Sequence, residues 1–424
     1  MSPTDADGCL WTAQVAMPPT ESPALPDATD VAVIGGGYTG LSAARALGLA
    51  GTDVTLLERD QVGAGASARN GGFVLPGFKP DIAEIAARHG NEVARSLFAM
   101  SIEAVNLVER LVSEERIDCH FGRPGGLTLA AKPSHLAGLR VSGRVLKSLC
   151  GYETELLDAA AVRTEIGSNQ YFGGQLEPGA AAVHPARYLT GLAGSARRTG
   201  ARVIERTEVT GISGKSGALT VQTTRGPLRT REVIVATDGY TGRWAGSLGR
   251  RVVAVGSYIV ATKPLDAALQ QRLIPRRRVM SDTRRLLNYF RLSPDGRMVF
   301  GGRAGFIPGR LEGSRELLIS QMHRVFPELA DTAVEFAWGG HLGFTWDGLP
   351  HVGRRNGIHY AVGYCGHGVA LSTWLGHRVG QALAGAGPMP EIPESGFRAI
   401  PGGSMIDWLL PLVGLYYRLR DAMD

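Results

Sequence analysis

The residues of this chain that could do chemistry gather in two glycine-rich stretches some three hundred positions apart. In DVAVIGGGYTGLSAARALGLAGTDVTLLERD, residues 30–60, Gly35, Gly37 and Gly40 give the spacing G-x-G-x-x-G, and Glu58 follows Gly40 by eighteen positions. Glycines so spaced suit a pyrophosphate. The first makes a tight turn, the second lets the backbone approach, and the third lets helix and strand pack closely. Tyr38 and Thr39 lie between the second and third glycines, at the junction with a helix whose unpaired N–H groups attract an anion. Glu58, with Arg59 beside it, is placed to accept hydrogen bonds from an adenosine ribose. The second stretch, AVGYCGHGVALST at 361–373, sets Gly363, Gly366 and Gly368 around Tyr364, Cys365 and His367. It is poor strand material and too glycine-rich to begin a good helix, so it suits a backbone that must come close to something.

The elements that must position these residues can be read from periodicity. Residues 30–34 are a short β-branched strand, 41–50 an Ala/Leu-rich helix and 54–57 a second strand, so the first glycine loop lies at a strand–helix junction. That arrangement binds a dinucleotide and leaves NAD and FAD both open. The next segment, RDQVGAGASARNGGF, favours the flavin. A simple nicotinamide domain would run into its next helix here, whereas this chain makes a long polar loop carrying Ser67, Arg69, Asn70, Gly71 and Gly72. Residues 200–210 read as a strand and a short segment ending at Val209, and 233–236 as an apolar strand closing on Thr237, Asp238 and Gly239. Such a strand end suits the crevice at the carboxyl edge of a parallel sheet. FAD is longer than one βαβ unit can hold, so its ring needs a remote grip. Gly366, His367 and Gly368, feeding a helix from Val369 onward, can aim N–H groups and a positive dipole end at the flavin's pyrimidine edge.

Other chemistries lack their residues. The ten histidines show no HExxH or HxxEH spacing, and Cys9, Cys119, Cys150 and Cys365 form no CxxC, so no metal site is expected. Four thiols in 424 residues do not make a disulfide framework and fit a reducing cytosol, which places the protein in the cytoplasm. The net charge of +6 is carried almost wholly by arginine, with lysine only at 79, 132, 147, 215 and 263. No aromatic-and-basic stripe accompanies it, so nucleic acid is not an expected partner. The N-terminus lacks the apolar region of a signal peptide. The apolar run from Trp408 to Tyr417 is about half a membrane span; it reads as a docked tail, with membrane contact at most peripheral.

The motifs VIGGGYTGLSAA, GAGASARNGG, AAVHPARYLTGLA, TEVTGI, VATDGY, SPDGRMVFGGR, TWDGLPHVGR and GYCGHGVALST, in this order across residues 10–420, resemble the D-amino-acid oxidase superfamily of FAD-dependent oxidoreductases. Within it the chain is most similar to the gamma-glutamylputrescine oxidase-like and glycine or sarcosine oxidase-like amine oxidases. The resemblance implies an α/β fold with a Rossmann-like FAD-binding domain in discontinuous segments and an inserted α+β substrate domain with an antiparallel sheet. The expected boundaries are 1–28 for an N-terminal arm, 29–76, 182–245 and 336–385 for the FAD domain, 77–181 and 246–335 for the substrate domain, and 386–424 for a C-terminal tail. In the substrate domain, residues 81–114 show the amphipathic spacing of a helix. Residues 252–303 read as strands, with a hairpin turning at Pro294-Asp295-Gly296.

The resemblance also implies the reaction: hydride passes from the carbon next to an amine nitrogen to flavin N5, the imine hydrolyses to a carbonyl compound, and O2 is reduced to H2O2. Such chemistry needs positioning more than acid–base machinery. Candidate substrate contacts are Tyr289, Arg291, His341 and Trp346; Tyr289 and Arg291, two apart on a strand, share one face. Several departures bear on this. A lysine that in sarcosine-type relatives follows the second glycine loop is replaced by Ala370, which puts a carboxylate held there in doubt. The segment WGGHLGFTWDG has no cysteine, so FAD is expected to be non-covalent. No lysine stands near Phe300 to Arg303 to assist oxygen. The expected partners are a small primary or secondary amine and O2 or another acceptor. The alternatives are a dehydrogenase passing electrons to a quinone or carrier protein, and a flavin-binding partner subunit without its own turnover.

Overall fold

A computed structural model describes residues 8–15, 23–302 and 311–400. Trp408, Tyr416 and Tyr417 of the expected tail, and Arg303, lie outside the described residues. The fold is mixed α/β, built on two large sheets.

The first sheet runs in the order His351–Arg355, Ile358–Val362, Gly226–Val235, Ala28–Ile34, Val54–Leu57, Arg202–Ile204. Every neighbouring pair is parallel except the first, an edge hairpin. Parallel strands are covered on both faces and so read as near-continuous apolar runs; Val54–Leu57 is buried throughout. Strands Val209–Lys215 and Ala218–Thr223 extend Gly226–Val235 as an antiparallel meander.

Two helices cross over this sheet, Tyr38–Leu49 and Gly368–Leu383. Small residues set how closely they meet. A Cβ on Gly376 would overlap the carbonyl oxygen of Thr39, and one on Gly380 would lie 2.6 Å from that of Ala43. Ser42 Oγ donates to Thr373 O at 2.7 Å, and the hydroxyls of Thr39 and Tyr364 are 2.7 Å apart. The contact brings the N-termini of both helices, and the glycine loops that precede them, to one place.

The second sheet runs Val334–Phe344, Val253–Thr262, Met298–Gly302, Asn288–Leu292, Val279–Asp282, Gly126–Leu129, Gly173–Glu177, Glu155–Asp158. It is antiparallel apart from one parallel pair, Val279–Asp282 with Gly126–Leu129. Alternation along its strands separates two functions. Phe290 and Leu292 point into a core with Phe300 and Phe326, the Phe290 and Phe300 rings stacked at 5.4 Å. Tyr289 and Arg291 point the other way, toward the polar loop at 66–72.

Two local expectations are corrected. The helical pattern at 81–114 forms two helices, Ile82–His89 and Asn91–Glu114, because Gly90 takes φ +88° between them. The run at 252–303 is not all strand: helix Ala267–Leu273 interrupts it, its first turn capped by Asp266, which accepts from Leu269 N at 2.7 Å. The hairpin turn at 294–296 forms, with Gly296 at φ +82°. Strand Val334–Phe344, at the start of the segment 336–385, pairs in the second sheet. Among the described residues no helix is long and apolar enough to cross a membrane.

Candidate active site

Between the two sheets lies a cavity of about 330 Å³ lined by both glycine stretches, the loop at 63–71 and the near face of the second sheet. Each glycine of the first loop has its own reason to lack a side chain. Gly35 has φ +109°, and a Cβ there would sit 2.7 Å from Ala236 O; one on Gly37 would sit 2.9 Å from Ser67 Oγ; one on Gly40 would overlap Gly35 O. The helix beginning at Tyr38 has no side-chain cap from Gly37; instead Tyr38 N donates to Ser67 Oγ at 3.1 Å. Glu58 accepts from Gly36 N at 2.7 Å and from Asp60 N at 3.0 Å. Burial raises its carboxyl above the ordinary value, against the pull of those two N–H groups. Arg59 pairs with Asp60 at the same end of the cavity.

The loop at 66–72 is anchored from outside the cavity. Trp338 Nε1 donates to Arg69 O and Trp11 Nε1 to Asn70 O, both at 2.8 Å, and Arg291 Nη1 donates to Gly72 O at 2.9 Å. Asn70 turns inward on the loop itself, its Nδ2 donating to Ser67 O at 2.9 Å and its Oδ1 accepting from Gly72 N at 2.8 Å. Arg69 Nε donates to Ala64 O at 3.1 Å.

The second glycine loop closes the opposite side. Gly363, Cys365 and Gly366 have φ of +87°, +52° and +98°. Asp238 holds this loop in place: Oδ1 accepts from Gly363 N at 2.7 Å and Oδ2 from Gly343 N at 3.0 Å. Burial raises the Asp238 carboxyl, and the backbone N–H groups around it oppose the rise. Cys365 is buried, its thiol pushed up to about 11 by desolvation, and lies 3.6 Å from Thr345 Oγ1. It is therefore a neutral thiol, not a thiolate nucleophile.

Tyr289, Ser257, Ser281, Ile259 and Leu287 form the roof. Gly301 makes the Tyr289 orientation possible. It pairs directly with Tyr289 on the neighbouring strand, and a Cβ there would overlap the phenol ring. With that side chain missing, the ring lies across Gly301 and its hydroxyl meets Ser257 Oγ at 3.0 Å.

Of the residues expected from sequence to hold FAD, the cavity is lined by Gly35, Gly37, Tyr38, Thr39, Glu58, Arg59, Ser67, Arg69, Asn70, Gly71, Val209, Thr237, Gly366, His367, Gly368 and Val369. Gly40 and Gly72 sit behind the wall, and Gly239 is packed beneath strand Val334–Phe344, where a Cβ would be 2.9 Å from Leu342 C. Among the substrate candidates Tyr289 lines the cavity, and Arg291, His341 and Trp346 do not. Arg291 is 3% exposed and turned onto Gly72 O. The His341 ring stacks on Tyr240 at 5.0 Å rather than facing the cavity. Trp346 is 60% exposed. Sequence reasoning missed Asp238 as a site residue, although it stands at the strand end already singled out. It also missed Ser257, Ser281, Leu287 and Lys79, which no local motif marks. No group of metal-ligating side chains is found among the described residues.

This cavity fits a flavin dinucleotide. It combines an acidic group at the end of the second strand, glycines whose side-chain positions the backbone already fills, and two converging helix N-termini. Comparison with known proteins agrees. The family model described as "DAO: FAD dependent oxidoreductase" matches residues 30–382. Gamma-glutamylputrescine oxidoreductase of Escherichia coli (strain K12) is 33% identical over 401 residues, covering 93% of each chain. Sarcosine oxidase subunit beta of Rhizobium meliloti (strain 1021) is 25% identical over 401 residues, covering 89% of this chain and 90% of the other. The crystal structure of glycine oxidase from Geobacillus kaustophilus superposes with a TM-score of 0.73 at 20% identity, over 89% of this chain and 99% of that one.

Proposed function

This chain belongs to the DAO family of FAD-dependent oxidoreductases, and from that premise we propose that it oxidises a small primary or secondary amine at the carbon next to nitrogen, using non-covalent FAD. The observation that carries this reading is the roof. Tyr289, Ser257, Ser281, Ile259 and Leu287 face the loop at 63–71 without contributing a carboxylate or an imidazole. Such a roof offers hydroxyl groups and apolar side chains that can orient an amine.

Bound FAD supplies the hydride acceptor, and the imine product hydrolyses to a carbonyl compound and an amine. The residues of the chain do the rest. Glu58 would offer its carboxylate to the ribose, and the N–H groups at the helix N-termini, Tyr38 and Gly368, would hold the anionic parts of the cofactor. The Tyr289 hydroxyl, steadied by Ser257, is placed to hold the substrate nitrogen or a polar arm next to it. Burial keeps Cys365 a thiol, which supports non-covalent attachment. The similarity to gamma-glutamylputrescine oxidoreductase makes an amine carrying a remote polar arm the first substrate class to try.

The test is an anaerobic titration of the purified protein with polyamines, gamma-glutamyl amines, N-methyl amino acids and D-amino acids, reading flavin absorbance, followed by air. Bleaching by an amine with prompt recovery and peroxide supports an oxidase. Bleaching that persists in air transfers the reading to a dehydrogenase with a quinone or carrier-protein acceptor. A flavin that none of these classes bleaches rejects them as substrates and moves the reading to a substrate outside the panel or to a partner subunit.

A further inference from the structure

Arg291 is a buried cation with no anion beside it among the described residues. It is 3% exposed, in the middle of strand Asn288–Leu292. Nη1 donates to Gly72 O at 2.9 Å, the guanidinium lies 5.5 Å from the centre of the Trp11 ring, and Nε has no partner. Among the described residues no carboxylate lies within ion-pair distance of it; the titratable groups nearby are Arg277, also a cation, and His184. Desolvation, and secondarily Arg277, lower its pKa to about 10, which leaves it charged at neutral pH. His184 is held down to about 4 by burial first and by the neighbouring cations after that, so it adds no charge there. Burying an unpaired charge is costly, and a hydrogen bond to one carbonyl does not offset it.

The position of the charge suggests what offsets it. Gly72 follows Gly71, a wall residue of the cavity, and Tyr289, on the same strand face as Arg291, is a roof residue. The carbonyls of Arg69, Asn70 and Gly72 accept from Trp338, Trp11 and Arg291, none of which lines the cavity. These three oxygens therefore accept from groups behind the cavity wall, and that of Gly72 meets the buried cation. We propose that Arg291 is a positioning residue that carries a charge: it fixes the 69–72 loop through Gly72 and sets a positive field behind that stretch of the cavity wall, which would favour the negative charge a bound flavin acquires on reduction. This rests on the FAD reading of the cavity.

Sulfite tests it without turnover. Its sulfur lone pair forms an S–N bond to the oxidised ring, and the negative charge is left on the ring, so its affinity reports the local field. Arg291→Gln keeps a donor for Gly72 O and removes the charge; Arg291→Lys keeps the charge. The purified holoproteins are titrated with sulfite by absorbance, and flavin potentials are measured by dye equilibration. Arg291→Gln is expected to weaken sulfite binding about tenfold. The two-electron potential should fall by about 30 mV, the same tenfold converted. Arg291→Lys should stay within about threefold of the parent. Unchanged sulfite affinity in a flavin-loaded Gln variant overturns the proposal, and so does equal loss in both variants, which would assign the effect to hydrogen-bond geometry alone. If Arg291→Gln loses its flavin, the Lys variant decides: retained affinity supports the charge, and a tenfold loss overturns it. A parent chain that retains no flavin rejects the cofactor reading itself.

Discussion

The carboxylate of Asp238 accepts a hydrogen bond from the backbone N–H of Gly363 at 2.7 Å, 125 positions away in the chain. The same carboxylate takes Gly343 N at 3.0 Å and Tyr364 N at 3.4 Å. One side chain thus ties the end of a Rossmann-like strand, the edge strand of the roof sheet and the closing glycine loop into one wall.

Asp238→Ala should leave three backbone donors without an acceptor, at a cost of about 1–3 kcal/mol for each that stays dry. We expect the variant to release FAD at least about tenfold more readily than the parent, as read by the rise in flavin fluorescence on dilution. Asp238→Asn should be intermediate, because its NH2 group must face one N–H donor. Parental FAD retention in both variants would show that the latch does not shape the cofactor site.

The helix crossing makes a second prediction. Gly376→Ala places a methyl group on Thr39 O, and Thr39 lines the cavity while its hydroxyl meets Tyr364 OH at 2.7 Å. Overpacking of this kind costs about 1–3 kcal/mol. The melting temperature of the apoprotein should fall. FAD should restore less stability to the variant than to the parent, because relieving the clash moves both helix N-termini. An equal FAD-induced rise in melting temperature in the two proteins would contradict this.

What was legible in the sequence was whatever a local backbone demands. Gly40 meets a limit set inside its own βαβ unit, by Gly35 O, while Gly35 and Gly37 meet Ala236 O and Ser67 Oγ from beyond it; their spacing in the unit is still what carried the cofactor end of the cavity. The roof was not legible in that way. Ser257, Ser281 and Tyr289 come together through antiparallel pairing whose register no short motif announces. Parity correctly put Tyr289 and Arg291 on one face, but parity says nothing of depth, and Gly72 comes between Arg291 and the cavity. Trp11 shows the limit most plainly. It is fully buried with its indole on Asn70 O, 59 positions along the chain, although its sequence neighbourhood has neither helical nor strand periodicity.

On the proposed reading Tyr289 handles substrate and not cofactor, and the two roles can be told apart. Tyr289→Phe keeps the ring over Gly301 and removes the hydroxyl that meets Ser257 Oγ. The flavin spectrum and FAD content should be unchanged, and kcat/KM for the best amine should fall about tenfold, the order of one hydrogen bond made to the substrate. Gly301→Ala is expected to be worse, because its methyl group displaces the ring itself. If Tyr289→Phe keeps full kcat/KM, the hydroxyl has no part in holding the amine.

Acid should loosen the arm that anchors the loop at 66–72, through His184. Its Nε2 lies 3.1 Å from Gln14 Oε1, and its Nδ1 accepts from Arg187 N at 3.3 Å, where it caps helix Pro185–Arg198. The ring also packs edge-on against Trp11 at 5.0 Å. A donor at Nε2 and an acceptor at Nδ1 define a neutral imidazole, and protonation would set Nδ1–H against the N–H of Arg187. Burial first, then Arg187, Arg291 and His120, lower its pKa from 6.5 to about 4. Because the unfolded chain then binds the proton more readily than the folded one, this contribution to stability is complete above pH 6.5 and is lost as pH falls toward 4. Within that window the slope is about 1.4 kcal/mol per pH unit. His377, also lowered to about 4, mainly by burial, adds a parallel loss. His184→Asn keeps an acceptor for the helix cap and cannot be protonated. Its melting temperature should fall less steeply between pH 7 and pH 5 than that of the parent, with the part due to His377 remaining. Identical slopes would mean that the arm is insensitive to the charge on His184.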